Sequence, residues 1–185
     1  MSTVTPLNRQ RHIATDDLLV TMSDTQGVIT YANGPFCQVQ ACHERDLIRQ
    51  PHNILRHPDM PAAIFELVWQ RLRAGHEVFA YVKNLAHNGE YYWTLSHWMM
   101  NGDTAGRPAG YQCCRRSTGT KSIAAIESVY REMRRIERAA ATPEVGIAQS
   151  RQWLDQLLAS RNQNYDQFVL SLAMLDEEVE FKAAA

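Results

Sequence analysis

Gln50-Pro51-His52-Asn53-Ile54-Leu55-Arg56-His57-Pro58-Asp59-Met60-Pro61 places a cation, an imidazole and a carboxylate among prolines, directly ahead of an apolar-periodic run. Pro58 biases His57 towards an extended backbone, so the segment leaves any helix and presents its polar side chains. Pro61 suits the opening of a helix, where its missing N–H would find no intrahelical partner anyway. Asp59, just ahead, favours the positive helix end. Ile64, Phe65, Val68, Trp69 and Leu72 then recur at helical spacing, and Gly75 stops the run as a left-handed cap. The plainest account of Arg56-His57-Pro58-Asp59 is a helix entry with a local Arg–Asp pair; the alternative is a ligand-facing loop.

On the N-terminal side, Leu18–Ser23 and Val28–Tyr31 read as two strands of a hairpin around the turn Asp24-Thr25-Gln26-Gly27. Ala32-Asn33-Gly34-Pro35 ends the second strand, and short helical pieces follow to Leu47. On the C-terminal side come three longer strands: Val78–Asn84, Tyr91–Met100 and Ala109–Arg116. His87-Asn88-Gly89-Glu90 joins the first two as a hairpin turn. Two strands, helices, then a three-stranded meander is an α+β order, not a doubly wound parallel sheet. Along the aromatic strand, Trp93, His97 and Met99 share one face, while Tyr92, Ser96 and Trp98 share the other. The sequence does not say which face is inward.

The 50–61 stretch, with Thr30-Tyr31-Ala32-Asn33, Val82-Lys83-Asn84 and Asn88-Gly89-Glu90-Tyr91-Tyr92-Trp93, resembles the PAS sensor domains of the bacterial aerotaxis-receptor type. The resemblance covers roughly residues 15–120. It implies a PAS fold, an antiparallel five-stranded sheet with helices on one face, holding FAD noncovalently and reporting redox or oxygen-linked energy status. It implies cofactor contacts at Arg56, His57, Asp59, Asn33, Trp69, Asn84 and Trp93. Arg56 suits the FAD pyrophosphate, because a guanidinium matches phosphate geometry. The Asn33 amide both donates and accepts, which suits a flavin edge, although asparagine is also a common turn residue. Trp69 is read equally as core or as a flavin neighbour. The expected organisation is an arm (1–14), a PAS sensor domain (15–119) and a helical region (120–185).

In that last region, Ile123, Ile126, Val129, Tyr130, Met133 and Ile136 line one side of a helix over 121–141. Thr142-Pro143-Glu144 interrupts it and caps a second helix. Leu154, Leu158, Arg161, Tyr165, Phe168, Leu172, Leu175 and Val179 then follow, with steps of three and four from Leu158 onward, a heptad seam broken by Arg161. A helical hairpin and a coiled coil both bury this stripe. Receptors of the resembling type continue into a membrane anchor and a signalling coiled coil, so the chain is expected to be either a fragment or a stand-alone sensor. Its partner is then a separate chemoreceptor or other signalling protein, and a homodimer through the PAS domain or the helices is expected.

The remaining function classes are narrowed by composition. A length of 185 residues suits one domain with an appendage, and the net charge of −1 gives no drive towards nucleic acid. No stretch approaches the ~20 apolar residues of a spanning helix, and Met1–Arg11 lacks the apolar centre of a secretory signal. The expected compartment is the cytoplasm. The 4 cysteines do not suggest a disulfide framework or a structural zinc site, and no metal site is expected. Cys113 and Cys114, adjacent on a strand, face opposite sides. Cys37 does not sit in the Asn-Cys-Arg-Phe-Leu-Gln type of motif that light-sensing PAS domains use. No phosphate loop or nucleophile elbow marks an enzyme. Two alternatives stay open: a cofactor-free PAS dimerisation or interaction module, and a haem-binding gas sensor with His57 or His97 on the iron.

Overall fold

Five segments whose β-branched and aromatic residues alternate with polar ones pair into one antiparallel sheet. They are β1 (Leu19–Ser23), β2 (Ile29–Ala32), β3 (Val78–Leu85), β4 (Tyr91–Gly102) and β5 (Pro108–Arg116), in the spatial order β2-β1-β5-β4-β3. Between β2 and β3 lie α1 (Gly34–Gln40), α2 (Glu44–Leu47), a 3₁₀ turn (His52–Leu55) and α3 (Ala62–Arg73). After the sheet come α4 (Thr120–Ala139), α5 (Pro143–Ser160) and α6 (Tyr165–Ala183). This computed structural model describes residues 4–183, and side chains through residue 176. The α+β class and the five-stranded antiparallel sheet expected from the sequence are both present. Two compact units emerge: Met1–Pro58 with Arg71–Ser117, and Asp59–Gln70 with Thr118–Ala185.

The first unit contains the sheet. Asp24 Oδ1 accepts from the amides of Gln26 and Val28, and Gly27 takes the left-handed conformation that closes the β1–β2 hairpin. α1 starts at Asn33, whose Oδ1 caps the Phe36 amide. Its apolar face supplies Phe36 and Val39 to a core with Leu19, Ile29, Leu47, Leu55 and Tyr92. Gln40, buried at the end of α1, ties this helix to the sheet: its Nε2 donates to the Leu85 carbonyl at 3.0 Å and its Oε1 accepts from the Tyr92 hydroxyl at 2.8 Å. At the end of α3, Gly75 at φ 81 donates to Leu72, and His76 donates to Arg71, which is the expected left-handed cap. The N-terminal arm is ordered along the β3–β4 turn. Leu7 donates to Gly89, Arg11 donates to Tyr91, Arg9 and Arg11 pair with Glu90, and Ile13 is buried.

The second unit revises the reading of the last third. It holds α4, α5 and α6 together with the first part of α3, and α5 and α6 each pack on α4. The heptad seam expected from Leu154 onward is cut: α5 ends with Arg161 as its cap, Asn162 is left-handed at φ 53, and α6 starts at Tyr165. A reciprocal cap decides this break. The Asn164 amide donates to Gln167 Oε1 and the Gln167 amide donates to Asn164 Oδ1, each at 2.9 Å. That Asn-x-x-Gln signal outweighs the continuing apolar period, so the stripe folds back on its own chain instead of running as one long helix. Leu154 and Leu158 on α5, and Tyr165, Phe168 and Leu172 on α6, are buried; Val179's side chain lies outside the described residues. The tight α4–α5 turn depends on Gly146, because a Cβ there would come within 2.8 Å of the Glu137 carbonyl oxygen. Two carboxylates serve as remote helix caps. Glu137 accepts from the amides of Ala62 and Ala63 at the start of α3, and Asp176 accepts from the Lys121 amide and the Ser122 hydroxyl at the start of α4.

Candidate functional site: a buried polar row on the inner sheet face

Strand register decides which residues share a face. Asn84 pairs with Tyr92, Val82 with Thr94 and Ala80 with Ser96; Ser96 in turn pairs with Arg115, and Arg115 with Leu19. Thr21 lies on the same side two residues along β1. This face is buried throughout and is the inner one. The face holding Tyr92, Ser96 and Trp98 is therefore inward, which answers the question left open by the sequence.

Its buried polar residues are Thr21, Ser23, Asn84, Thr94, Ser96 and Arg115, and all but Ser23 bond side chain to side chain. Buried polar groups require partners, and these form two linked sets. Asn84 Nδ2 donates to Thr94 Oγ1 at 3.1 Å and to the Val82 carbonyl at 3.2 Å, and the Thr94 and Ser96 hydroxyls are 2.8 Å apart. Arg115 Nη1 donates to Thr21 Oγ1 at 3.0 Å, and its Nη2 lies 3.0 Å from His52 Nε2. An arginine only donates, so His52 Nε2 accepts and the imidazole proton sits on Nδ1. Thr21 Oγ1, 3.2 Å from the same nitrogen, then donates to it. The guanidinium lies 5.0 Å from the Phe36 ring centroid.

His52 is held neutral. Desolvation first, and the adjacent Arg115 charge second, lower its pKa below the ordinary histidine value; the residue keeps some solvent exposure, which moderates the shift. The stability consequence has a definite sign. At mildly acidic pH the unfolded chain binds a proton at this position and the folded chain does not, so stability rises with pH there. The contribution is complete above a pH of about 6.5 and is lost as the pH falls below it, at no more than about 1.4 kcal/mol per pH unit. His52→Gln, which keeps an acceptor but does not titrate, is expected to flatten the fall in melting temperature between neutral and mildly acidic buffer. An identical slope in wild type and variant would refute the assignment.

The residues expected as cofactor contacts are distributed as follows. Asn84 belongs to the inner polar row. Arg56 caps the 3₁₀ turn, and its backbone bridges to Asn84 on the edge strand β3. His57 is buried with its ring edge-on to Tyr91, at a centroid distance of 5.9 Å, and Lys83 Nζ lies 4.4 Å from the same ring. Trp93 pairs with Lys83 and so lies on the opposite face from Asn84, where it is buried; the two cannot contribute to one surface of the sheet. Asn33 is occupied by backbone: Oδ1 accepts from Phe36 and Val20, and Nδ2 donates to the Leu18 carbonyl at 2.8 Å. Asp59, exposed, and Trp69, half-buried on α3, belong to the second unit. His97, considered as a haem ligand, stacks on Phe79 with centroids 4.0 Å apart and is 2.8 Å from Glu77, away from the inner row. Among the described residues no group of three or more His, Cys, Asp or Glu side chains is arranged to hold a metal.

Sequence reasoning did not single out Arg115, His52, Thr94 or Ser96. The available signal was the period of two along β5, which places Arg115 with buried Tyr111 and Cys113. It was masked by Arg116, because two arginines at a strand end read as a solvated terminus. Cys113 is buried and its neighbour Cys114 half-buried, in line with the expected alternation.

Residues 29–115 match the family described as PAS fold. The chain carries a PAS domain. It is 34% identical over 145 residues to the aerotaxis receptor of Escherichia coli (strain K12), a match that spans 78% of this chain and 28% of the receptor. The chain therefore accounts for little more than a quarter of that relative's length. Solved structures agree on the fold. A light-oxygen-voltage domain studied with a flavin analogue superposes with a TM-score of 0.53 at 16% identity, covering 60% of this chain and 83% of that one. The light-state structure of the blue-light photoreceptor Aureochrome1 LOV gives a TM-score of 0.52 at 14% identity, covering 66% of this chain and 94% of that one. No helix among the described residues is long and apolar enough to cross a membrane.

Proposed function

We propose that this chain is a redox or oxygen-linked energy sensor. Its PAS domain holds FAD noncovalently, and its C-terminal helices pass the cofactor's state to a partner signalling protein in a chemotaxis-type pathway. The carrying observation is the inner polar row: a buried sheet face that spends Asn84, Thr94, Ser96, Thr21 and Arg115 on hydrogen bonding where an ordinary core would be apolar. The likeness to an aerotaxis receptor supports the same reading. The donor set suits a flavin dinucleotide: amide and hydroxyl groups for ring heteroatoms, and a cation for an anionic group.

FAD, when bound, supplies a reversible change of ring charge and protonation. The protein's part is to change hydrogen bonding in response. Thr94 and Ser96 hydroxyls each donate or accept, so a change of demand at Asn84 is relayed along β4 as far as Ser96, whose strand partner is Arg115, without moving the backbone. Asn33 contributes by fixing the start of α1 against β1, which keeps Phe36 over Arg115. In this proposal residues 1–14 act as an arm, 15–119 as the sensor and 120–185 as the output. The protein acts in the cytoplasm as a homodimer that signals and does not catalyse.

A visible absorption spectrum of the purified protein, with chromatography of the heat-released cofactor, tests the reading. Flavin bands and released FAD are expected. A folded protein that is colourless and cannot be reconstituted with FAD favours the cofactor-free interaction module, and an intense violet band favours haem.

A further inference from the structure

We propose that Arg115 receives the anionic part of the bound ligand, with Thr21 and His52 as the residues that position it. The inference rests on the flavin reading and assigns the charge-bearing contact within it.

Arg115 is 1% exposed. A guanidinium removed from water loses several kcal/mol of hydration, which an acidic partner normally offsets. None is present: among the described residues its hydrogen-bond and ring partners are the Thr21 hydroxyl, the Cys113 carbonyl at a long 3.5 Å, neutral His52 and the Phe36 ring. All four are uncharged. A buried cation ringed by neutral acceptors is a site with its counter-charge still to come.

The count of donors points the same way. Of five N–H groups, two on Nη1 and one on Nη2 are engaged, leaving Nε–H and the second Nη2 hydrogen without an acceptor among the described residues. These are neighbouring donors, suited to two oxygens of a phosphate or to the carbonyl edge of a ring. Orientation is fixed on three sides. Thr21 and His52 hold the two terminal nitrogens, and Phe36 lies against the guanidinium. His52 serves only while neutral, since a second proton on its ring would meet the guanidinium and remove the acceptor at Nε2.

Two groups of FAD carry the chemistry required: the pyrophosphate, and the ring edge that gains negative charge on reduction. Binding of FAD and of riboflavin, together with the flavin midpoint potential, are to be measured for wild type, Arg115→Gln and Arg115→Lys, with circular dichroism as the check on folding. If the pyrophosphate is the partner, Arg115→Gln loses tenfold or more in FAD affinity, while riboflavin binding and potential are unchanged. If the ring edge is the partner, FAD and riboflavin weaken alike, and the potential falls by about 30 mV for each tenfold loss of preference for the reduced form. Arg115→Lys keeps the charge without the fork and is expected to fall between. It carries the test if the glutamine variant does not fold. Folded variants that bind both flavins as wild type does, at an unchanged potential, overturn the inference and leave the flavin reading standing. A wild type that takes up neither flavin ends the flavin reading, and this inference with it.

Discussion

Phe36→Ala is expected to destabilise the PAS domain by about 3–5 kcal/mol, the usual cost of deleting a buried aromatic side chain. Phe36 is fully buried, from α1, in a cluster with Leu19, Ile29, Val39 and Leu47. The ring also lies against the Arg115 guanidinium at 5.0 Å, so its loss removes a cation–π contact in a desolvated place. Phe36→Leu separates the two effects. It restores most of the apolar volume and is expected to cost less than half as much, while still leaving Arg115 without a π face. Urea denaturation followed by circular dichroism reads both variants. An alanine variant within about 1 kcal/mol of wild type would show that Phe36 is not a core residue, against the general rule for such positions.

Gly110→Ala is the second large effect, about 3 kcal/mol, at the upper end of what overpacking usually costs. Gly110 sits on β5 next to Tyr111, which pairs with Ser23 of β1. A Cβ at this position would overlap the backbone carbonyl oxygen of Ser23 and crowd its carbonyl carbon. Backbone atoms have no rotamer by which to step aside, so β1 and β5 must separate at this end. β5 is the central strand and carries Arg115, so the damage reaches the polar row; under the flavin reading proposed above, FAD retention falls together with the melting temperature. Gly34→Ala is the contrast. Nothing lies within 4 Å of its added Cβ, and its stability is expected to stay within about 0.5 kcal/mol of wild type. Equal melting temperatures for the two variants would mean that the β1–β5 register is different from that described.

Much of the fold was legible because it is local. The Asp24–Gly27 turn, the Thr142-Pro143 helix start, the Gly75 stop and the alternation along β3, β4 and β5 act within a few residues, and the structure keeps each of them. The resemblance of the 50–61 stretch, Val82-Lys83-Asn84 and Asn88–Trp93 to PAS sensors led to the right family for the same reason: the motifs are short and contiguous. Where two local signals competed, the weaker-looking one prevailed. The Asn164–Gln167 reciprocal cap broke a heptad stripe that periodicity alone extends.

The sequence by itself determined the α+β class, the five strands, the PAS family and the amphipathic character of the C-terminal helices, because backbone propensity, turn chemistry and side-chain period are properties of neighbouring residues. Tertiary structure alone decided which sheet face is inward, since a strand shows two faces and only pairing across strands tells them apart. It placed Asn84 with Thr94 and Ser96 and set Trp93 on the other side. It also closed the contact between Arg115, Thr21 and His52, residues separated by 94 and 63 positions from the arginine, a distance over which no sequence period carries information. A buried charge becomes visible as such only when the chain has removed the water around it.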